Sequence, residues 1–131
     1  MITIYDKKGF TPLVKLKSAN TLVNADLHDA ELPEANLVEV DLSGCDLSRA
    51  NLTDADLRLA RLIGANLKHA RLTGVDLHGA DLSGADLSGA EVSAKELEGA
   101  RLDGAHLPAS CRHDLSLSGI PIKKAPDNAS G

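Results

Sequence analysis

Between Leu22 and Leu107 a branched aliphatic residue returns at every fifth position, eighteen times without a gap. It is leucine in every unit except the one centred on Val92. Two places before it stands a small residue, nearly always alanine, and between them usually Asp or Asn. Ala80-Asp81-Leu82-Ser83-Gly84 shows the unit plainly. A period of five matches neither a helix at 3.6 nor a strand at 2, so neither is the repeating element. Eight of the 11 glycines fall two places after the aliphatic residue: Gly44, Gly64, Gly74, Gly79, Gly84, Gly89, Gly99 and Gly104. Glycine at one fixed phase predicts a backbone corner with φ > 0 in each unit. A short strict period with a corner in every unit predicts a solenoid.

These residues carry a resemblance. The A-(D/N)-L-x-x motif, in phase across residues 20–109, resembles that of the pentapeptide-repeat protein family. The resemblance covers about two-thirds of the chain. It implies an all-β fold, a right-handed quadrilateral β-helix with four units and 20 residues per coil, here about 4.5 coils. Residues 20 apart then stack, and the position before the aliphatic reads Asp41, Arg61, Asp81, Arg101 down one edge. Strands ~4.8 Å apart bring such an alternating ladder within pairing reach.

Inside, leucine columns alternate with alanine columns, enlarged at Val40, Cys45 and Val75. Cys45 is expected to be a buried packing residue whose thiol stays protonated. Two small positions break the rule. Asn20 belongs to the first unit. Lys95 is implausible as a buried residue without a partner, so a local bulge is expected in which Ala94 takes the inner place or Lys95 swings out.

Residues 1–19 leave the register and read as an N-terminal cap of short extended segments, with Ile2 and Ile4, then Val14 and Leu16, alternating with polar neighbours. A stack of repeats needs such a cover over its end layer. Residues 110–122 read as a C-terminal closing segment. Leu117 and Ile122 return in phase, with Leu115 and Ile120 at the inner positions. Those larger pairs fit a wider final layer, or an end through which two copies form a homodimer. Residues 123–131 are polar and expected to be disordered.

The chain of 131 residues carries net charge −5, unevenly placed. Residues 20–107 hold −9, the first nineteen +3 and the last twenty-four +1. An acidic body argues against direct nucleic-acid binding. No apolar run reaches transmembrane length and the start lacks a secretory layout, so no membrane association is expected. Two cysteines in no framework or metal spacing point to a reducing cytoplasm.

Candidate chemistry is sparse. His28, His69 and His106 share one face but lie about two coils apart, roughly 10 Å or more, so they read as solvated surface residues and no metal or other cofactor is assigned. Asp26, Asp41, Asp46, Asp56, Asp76, Asp81 and Asp86 share one phase, which marks a structural device accepting backbone N–H groups at the corner. No catalytic or nucleotide motif is present, and the chain is read as non-enzymatic. Two functional classes remain. One is a rigid protein–protein interaction module with an unknown partner, for which the outward Val38, Leu59 and Ile63 form a candidate partner surface. The other comes from the resemblance, since some family members mimic DNA and occupy DNA gyrase. Two acidic columns suit that alternative, Asp56, Asp76 and Glu96 on one face and Asp26, Asp46 and Asp86 on the opposite one. Against it, the repeat has no central Phe, spans only ~22 Å at strand spacing, and is interrupted by Arg58, Arg61, Lys68 and Arg71.

Overall fold

A computed structural model describes residues 2–9, 11–16, 21–109 and 111. Its repeating element is the corner. In sixteen of the units the aliphatic residue's carbonyl accepts the N–H of the residue three later, as in Ala25 N–H to Leu22 O at 3.0 Å and Ala85 N–H to Leu82 O at 3.0 Å. The third residue of each such turn has φ > 0 and the second does not, the type II pattern. Glycine fills that position in eight units, while Asn24, Asp29, Glu34, Glu39, Arg49, Asp54, Leu59 and His69 fill it in eight others at φ 57 to 62. Pro33 occupies the second turn position, where its fixed φ is already suitable.

Four corners close one coil. Parallel bridges join residues 20 apart from Asp26↔Asp46 to Asp86↔His106, so the coil length implied by the resemblance is the observed one. Each bridge is held by a pair of backbone bonds, for example Leu47 N–H to Asn66 O at 2.7 Å and Asn66 N–H to Cys45 O at 2.9 Å. The protein is a right-handed quadrilateral β-helix. Its leucines form four columns: face 1 carries Leu22 to Leu102, face 2 Leu27 to Leu107, face 3 Leu32 to Leu72 and then Val92, and face 4 Leu37 to Leu97. The twelve leucines from Leu32 to Leu87 are each less than 2% exposed, and alanines fill the spaces between them. Burying each such leucine contributes about 1.5–3 kcal/mol.

At the amino end, strands β1 (Ile2–Tyr5) and β2 (Pro12–Leu16) pair antiparallel, with an irregularity between Ile4 and Tyr5. The hairpin is fastened to the first coil by Asn36 N–H to Tyr5 O and Lys7 N–H to Glu34 O, both 2.8 Å. Ile4 is buried in the core, and Ile2, Leu13 and Val14 pack against it.

The coil is interrupted once among the described residues. In place of a fourth-coil corner stands one helical turn, α1 (Ala94–Leu97). Glu96 accepts from the Ser93 N–H at 2.8 Å and the Ser93 hydroxyl at 2.9 Å, which caps the turn. Ala94 packs against the core and Lys95 is exposed, so the lysine is accommodated by a helical turn rather than by a bulged strand. Asp76 and Glu96 consequently form no bridge, and Gly79 N–H bonds Gly99 O, one residue further along than the regular ladder would place it.

Cys45 is fully buried, its thiol directed at the Leu22 carbonyl oxygen. Cys111 is buried beside Val92 O at 3.4 Å. Asn20, the remainder of the 110–122 segment and the 123–131 tail lie outside the described residues.

Candidate functional surface

The recurring aspartate is a corner device. Its Oδ1 accepts the N–H two residues on, at 3.0 Å for Ser48 on Asp46 and 2.9 Å for Ser83 on Asp81. At Ser48, Ser83 and Thr53 the hydroxyl donates to the same atom as well, at 2.6 Å, whereas at Ser43 only the N–H bonds the aspartate. Asn51 serves Thr53 as the aspartates serve serine, so the geometry needs an oxygen acceptor and not a charge. The ionised form is nevertheless favoured. The Ser48 hydroxyl and N–H hold the Asp46 carboxyl below the usual carboxylate range.

The expected charge ladder stacks but does not pair. Asp41, Arg61, Asp81 and Arg101 are successive bridge partners, yet Arg101 turns to Asp103 at 3.3 Å. A long side chain on an exposed face takes whichever carboxylate its torsions reach, and neighbours two residues away compete with those one coil away. Ion pairs that do link coils lie on other columns: Arg49–Asp29 at 2.8 Å, Arg71–Glu91 at 3.4 Å and Lys68–Asp86 at 3.7 Å.

The two acidic columns are shorter and less charged than the sequence suggests. On face 4 Asp56 and Asp76 stack, whereas Glu96 leaves the column with α1. Arg58 bonds Asp56 at 2.7 and 2.8 Å and approaches Asp76 at 4.0 Å, and the guanidinium holds the Asp56 carboxyl below its ordinary value. His78 bonds Asp76 at 2.8 Å and lowers it likewise. On face 2 Asp26 and Asp46 stack, Asn66 separates them from Asp86, and Lys68 stands beside Asp86.

Among the histidines, His69 leans over the backbone of Gly89, and His106 is the bridge partner of Asp86. His28 does not join either of them. Its Nδ1 bonds Asp26, and the potential ligand atoms of Asp26, His28 and Asp46 all lie within 4.8 Å of one another. Reading the histidines only against each other missed this group. Writing the sequence in rows of 20 places Asp26 above Asp46 with His28 two positions along.

Of the outward aliphatics, Leu59 is 55% exposed and Ile63 37%, while Val38 is half-buried. Leu59 is the one aliphatic residue among the left-handed non-glycine corners, at φ 60. Its side chain lies over Gly79, where an added Cβ would meet Leu59 Cδ2 at 2.6 Å. A further opening of about 280 Å³ beside α1 is lined by Gly74, Val75, Asp76, His78, Lys95 and Glu96.

The family profile for pentapeptide repeats matches residues 21–58 and 50–89, with eight copies. The chain belongs to the pentapeptide-repeat family. Among solved structures it is similar to alr5209, a pentapeptide repeat protein from Nostoc Pcc 7120, at 39% identity and TM-score 0.56, over 76% of this chain and 86% of that one. Rfr23, a pentapeptide repeat protein from the cyanobacterium Cyanothece 51142, is 30% identical over 81% of this chain and 74% of its own, at TM-score 0.36. QnrB1, a plasmid-mediated fluoroquinolone resistance protein, is 22% identical over 76% of this chain and 64% of its own, at TM-score 0.26. No curated protein matches the sequence. No helix among the described residues is long and apolar enough to cross a membrane.

Proposed function

We propose that this pentapeptide-repeat protein is a rigid, non-catalytic binding module that engages a protein partner through the surface between two successive corners, one carrying Leu59 and the next Ile63. One observation supports this most. Leu59 is both exposed and held in the left-handed region, where a side chain other than glycine costs roughly 1–2 kcal/mol. Directly along the same corner, Gly79 and Gly99 adopt that conformation without the penalty. A leucine that disfavours folding and buries little is explained by a contact made outside the chain. With Ile63 exposed on the next corner and Val38 partly so one coil earlier on Leu59's own corner, the surface offers aliphatic side chains among charged neighbours, as protein interfaces do. The interior, by contrast, is occupied by leucine and alanine columns.

The alternative, an acidic rod presented to a DNA-binding groove, fits less well. Arg58 and Lys68 compensate the acidic columns locally, which weakens the continuous negative field such a mimic needs. Affinity capture from host extract, with wild type beside the folded double variant Leu59→Ser/Ile63→Ser, tests the first reading. A protein retained by wild type and lost by the variant is expected, and equal retention by both would refute it. Inhibition of gyrase supercoiling that survives the double variant would favour the alternative.

A further inference from the structure

Only two bridges among the described residues place like charges directly in register: Asp56 over Asp76 on face 4, and Asp26 over Asp46 on face 2. Like charges opposite one another in a ladder destabilise it, so each pair calls for a cation between its carboxylates. On face 4 that cation is built in. Arg58, two residues after the lower aspartate, bonds Asp56 through both carboxylate oxygens and comes within 4.0 Å of Asp76. The equivalent position on face 2 is His28, bonded through Nδ1 to Asp26, with Asp46 completing a set of three donors within 4.8 Å. The slot that holds a guanidinium on one face therefore holds an imidazole on the other, and an imidazole between two carboxylates is a ligand set.

We propose that Asp26, His28 and Asp46 bind one divalent cation of the borderline class, of which zinc is the type. Two carboxylate oxygens and one imidazole nitrogen make three protein ligands, the number at zinc sites that keep a position for water. A dication offsets the two carboxylates as Arg58 does opposite. The scaffold under the slot is fixed by Leu27 N–H to Asp46 O at 2.8 Å and Asp46 N–H to Ala25 O at 2.9 Å, so the aspartates cannot drift apart. Ser48 donates its N–H and hydroxyl to Asp46 Oδ1, which orients the carboxylate and leaves Oδ2 for the metal. Asp29 is bonded by Arg49 at 2.8 and 3.1 Å, and its Oδ2 stands 3.9 Å from His28 Nε2, on the side of the ring away from the Nδ1 that faces Asp26. Donor atoms around a tetrahedral zinc lie about 3.4 Å apart, a closure that exposed side chains reach by rotating their torsions. Asp26 and His28 are exposed and Asp46 half-exposed, so an ion enters from solvent without any opening of the coil.

Titration of the full chain with zinc chloride near neutral pH, followed by calorimetry, tests the site beside His28→Ala, Asp46→Asn and the control His78→Ala. The expected result is one zinc per chain for wild type and the control, with binding weakened at least about tenfold in the other two. Zinc should also raise the melting temperature of wild type and not of His28→Ala. Asp46→Asn keeps the Ser48 bonds and His28→Ala alters an exposed residue, so both variants fold. No saturable binding up to millimolar zinc, or undiminished binding by both site variants, would overturn the proposal.

Discussion

Replacing Asp81 by Asn and by Ala separates the hydrogen bonds of the recurring aspartate from its charge. Asp81 Oδ1 accepts the Ser83 N–H at 2.9 Å and the Ser83 hydroxyl at 2.6 Å in a part-buried corner. Alanine removes both bonds. Bonds to a charged acceptor are worth about 1.5–3 kcal/mol, and water recovers part of that at a half-buried serine, so Asp81→Ala should destabilise by about 1–2 kcal/mol. Asparagine keeps the acceptor, as Asn51 does for Thr53, and should cost at most about 1 kcal/mol. The pH dependence follows from the carboxyl's environment. Burial pushes it up, but the Ser83 hydroxyl and N–H, with Arg101 and Arg61 beyond them, outweigh burial and leave it below the ordinary value. A carboxyl lowered in the folded state contributes stability that is complete above the unfolded value of about 3.9 and is lost as pH falls through the lower folded value. Urea unfolding should therefore show wild type above Asn at neutral pH, that gap closing on acidification below about pH 4, and Ala lowest throughout. Equal Asn and Ala variants at neutral pH, or a gap between wild type and Asn indifferent to pH, would refute the reasoning.

Corners and thiols give two further outcomes. Gly64→Ala, with no atom within 4 Å of the added Cβ, should lose only the left-handed penalty of roughly 1 kcal/mol. Gly79→Ala must also displace Leu59 Cδ2, so it should cost more by chemical unfolding, and a Leu59→Ala background should remove the excess; an excess that persists would show the strain lies elsewhere. Cys45 is fully buried and burial raises its thiol pKa, and Cys111 is 1% exposed, so neither should react with a thiol reagent until the chain is unfolded. Rapid reaction of the native protein would contradict that placement.

The period of five, the inward Leu and Ala and the glycine corners were legible because each is demanded anew by every unit. So was the use of aspartate, since a side chain repeated at one phase must meet a repeated backbone need. Features confined to one unit were harder to see. Lys95 announced a departure but not its form, although Ser93 and Glu96 stand in capping-box spacing just before Leu97. The Asp41–Arg61–Asp81–Arg101 ladder was correctly stacked and wrongly paired, because backbone spacing fixes columns while side-chain torsions choose partners. The grouping of His28 with Asp26 and Asp46 depends on one residue from the next coil, and no window of consecutive sequence contains it. Leu59 could be seen as outward, but its left-handed backbone and its position over Gly79 belong to the three-dimensional corner.

Leucine has two roles in this rod, filling the interior at the central phase of the repeat and, at Leu59, standing exposed at a corner. Leu57 and Leu59 are two residues apart and test it directly. Leu57 is 0% exposed, with Leu37 and Leu77 stacked on either side of it. The walls of a cavity there are pinned by Leu57 N–H to Asp76 O and Leu37 N–H to Asp56 O, both 2.9 Å. Leu57→Ala should therefore cost about 3–5 kcal/mol, the upper part of the range for buried leucines. Leu59→Ala should change stability by no more than about 0.5 kcal/mol. Chemical unfolding of the two variants side by side is the decisive measurement. A large loss at Leu57 with none at Leu59 is the predicted result, and equal losses at the two positions would contradict the account.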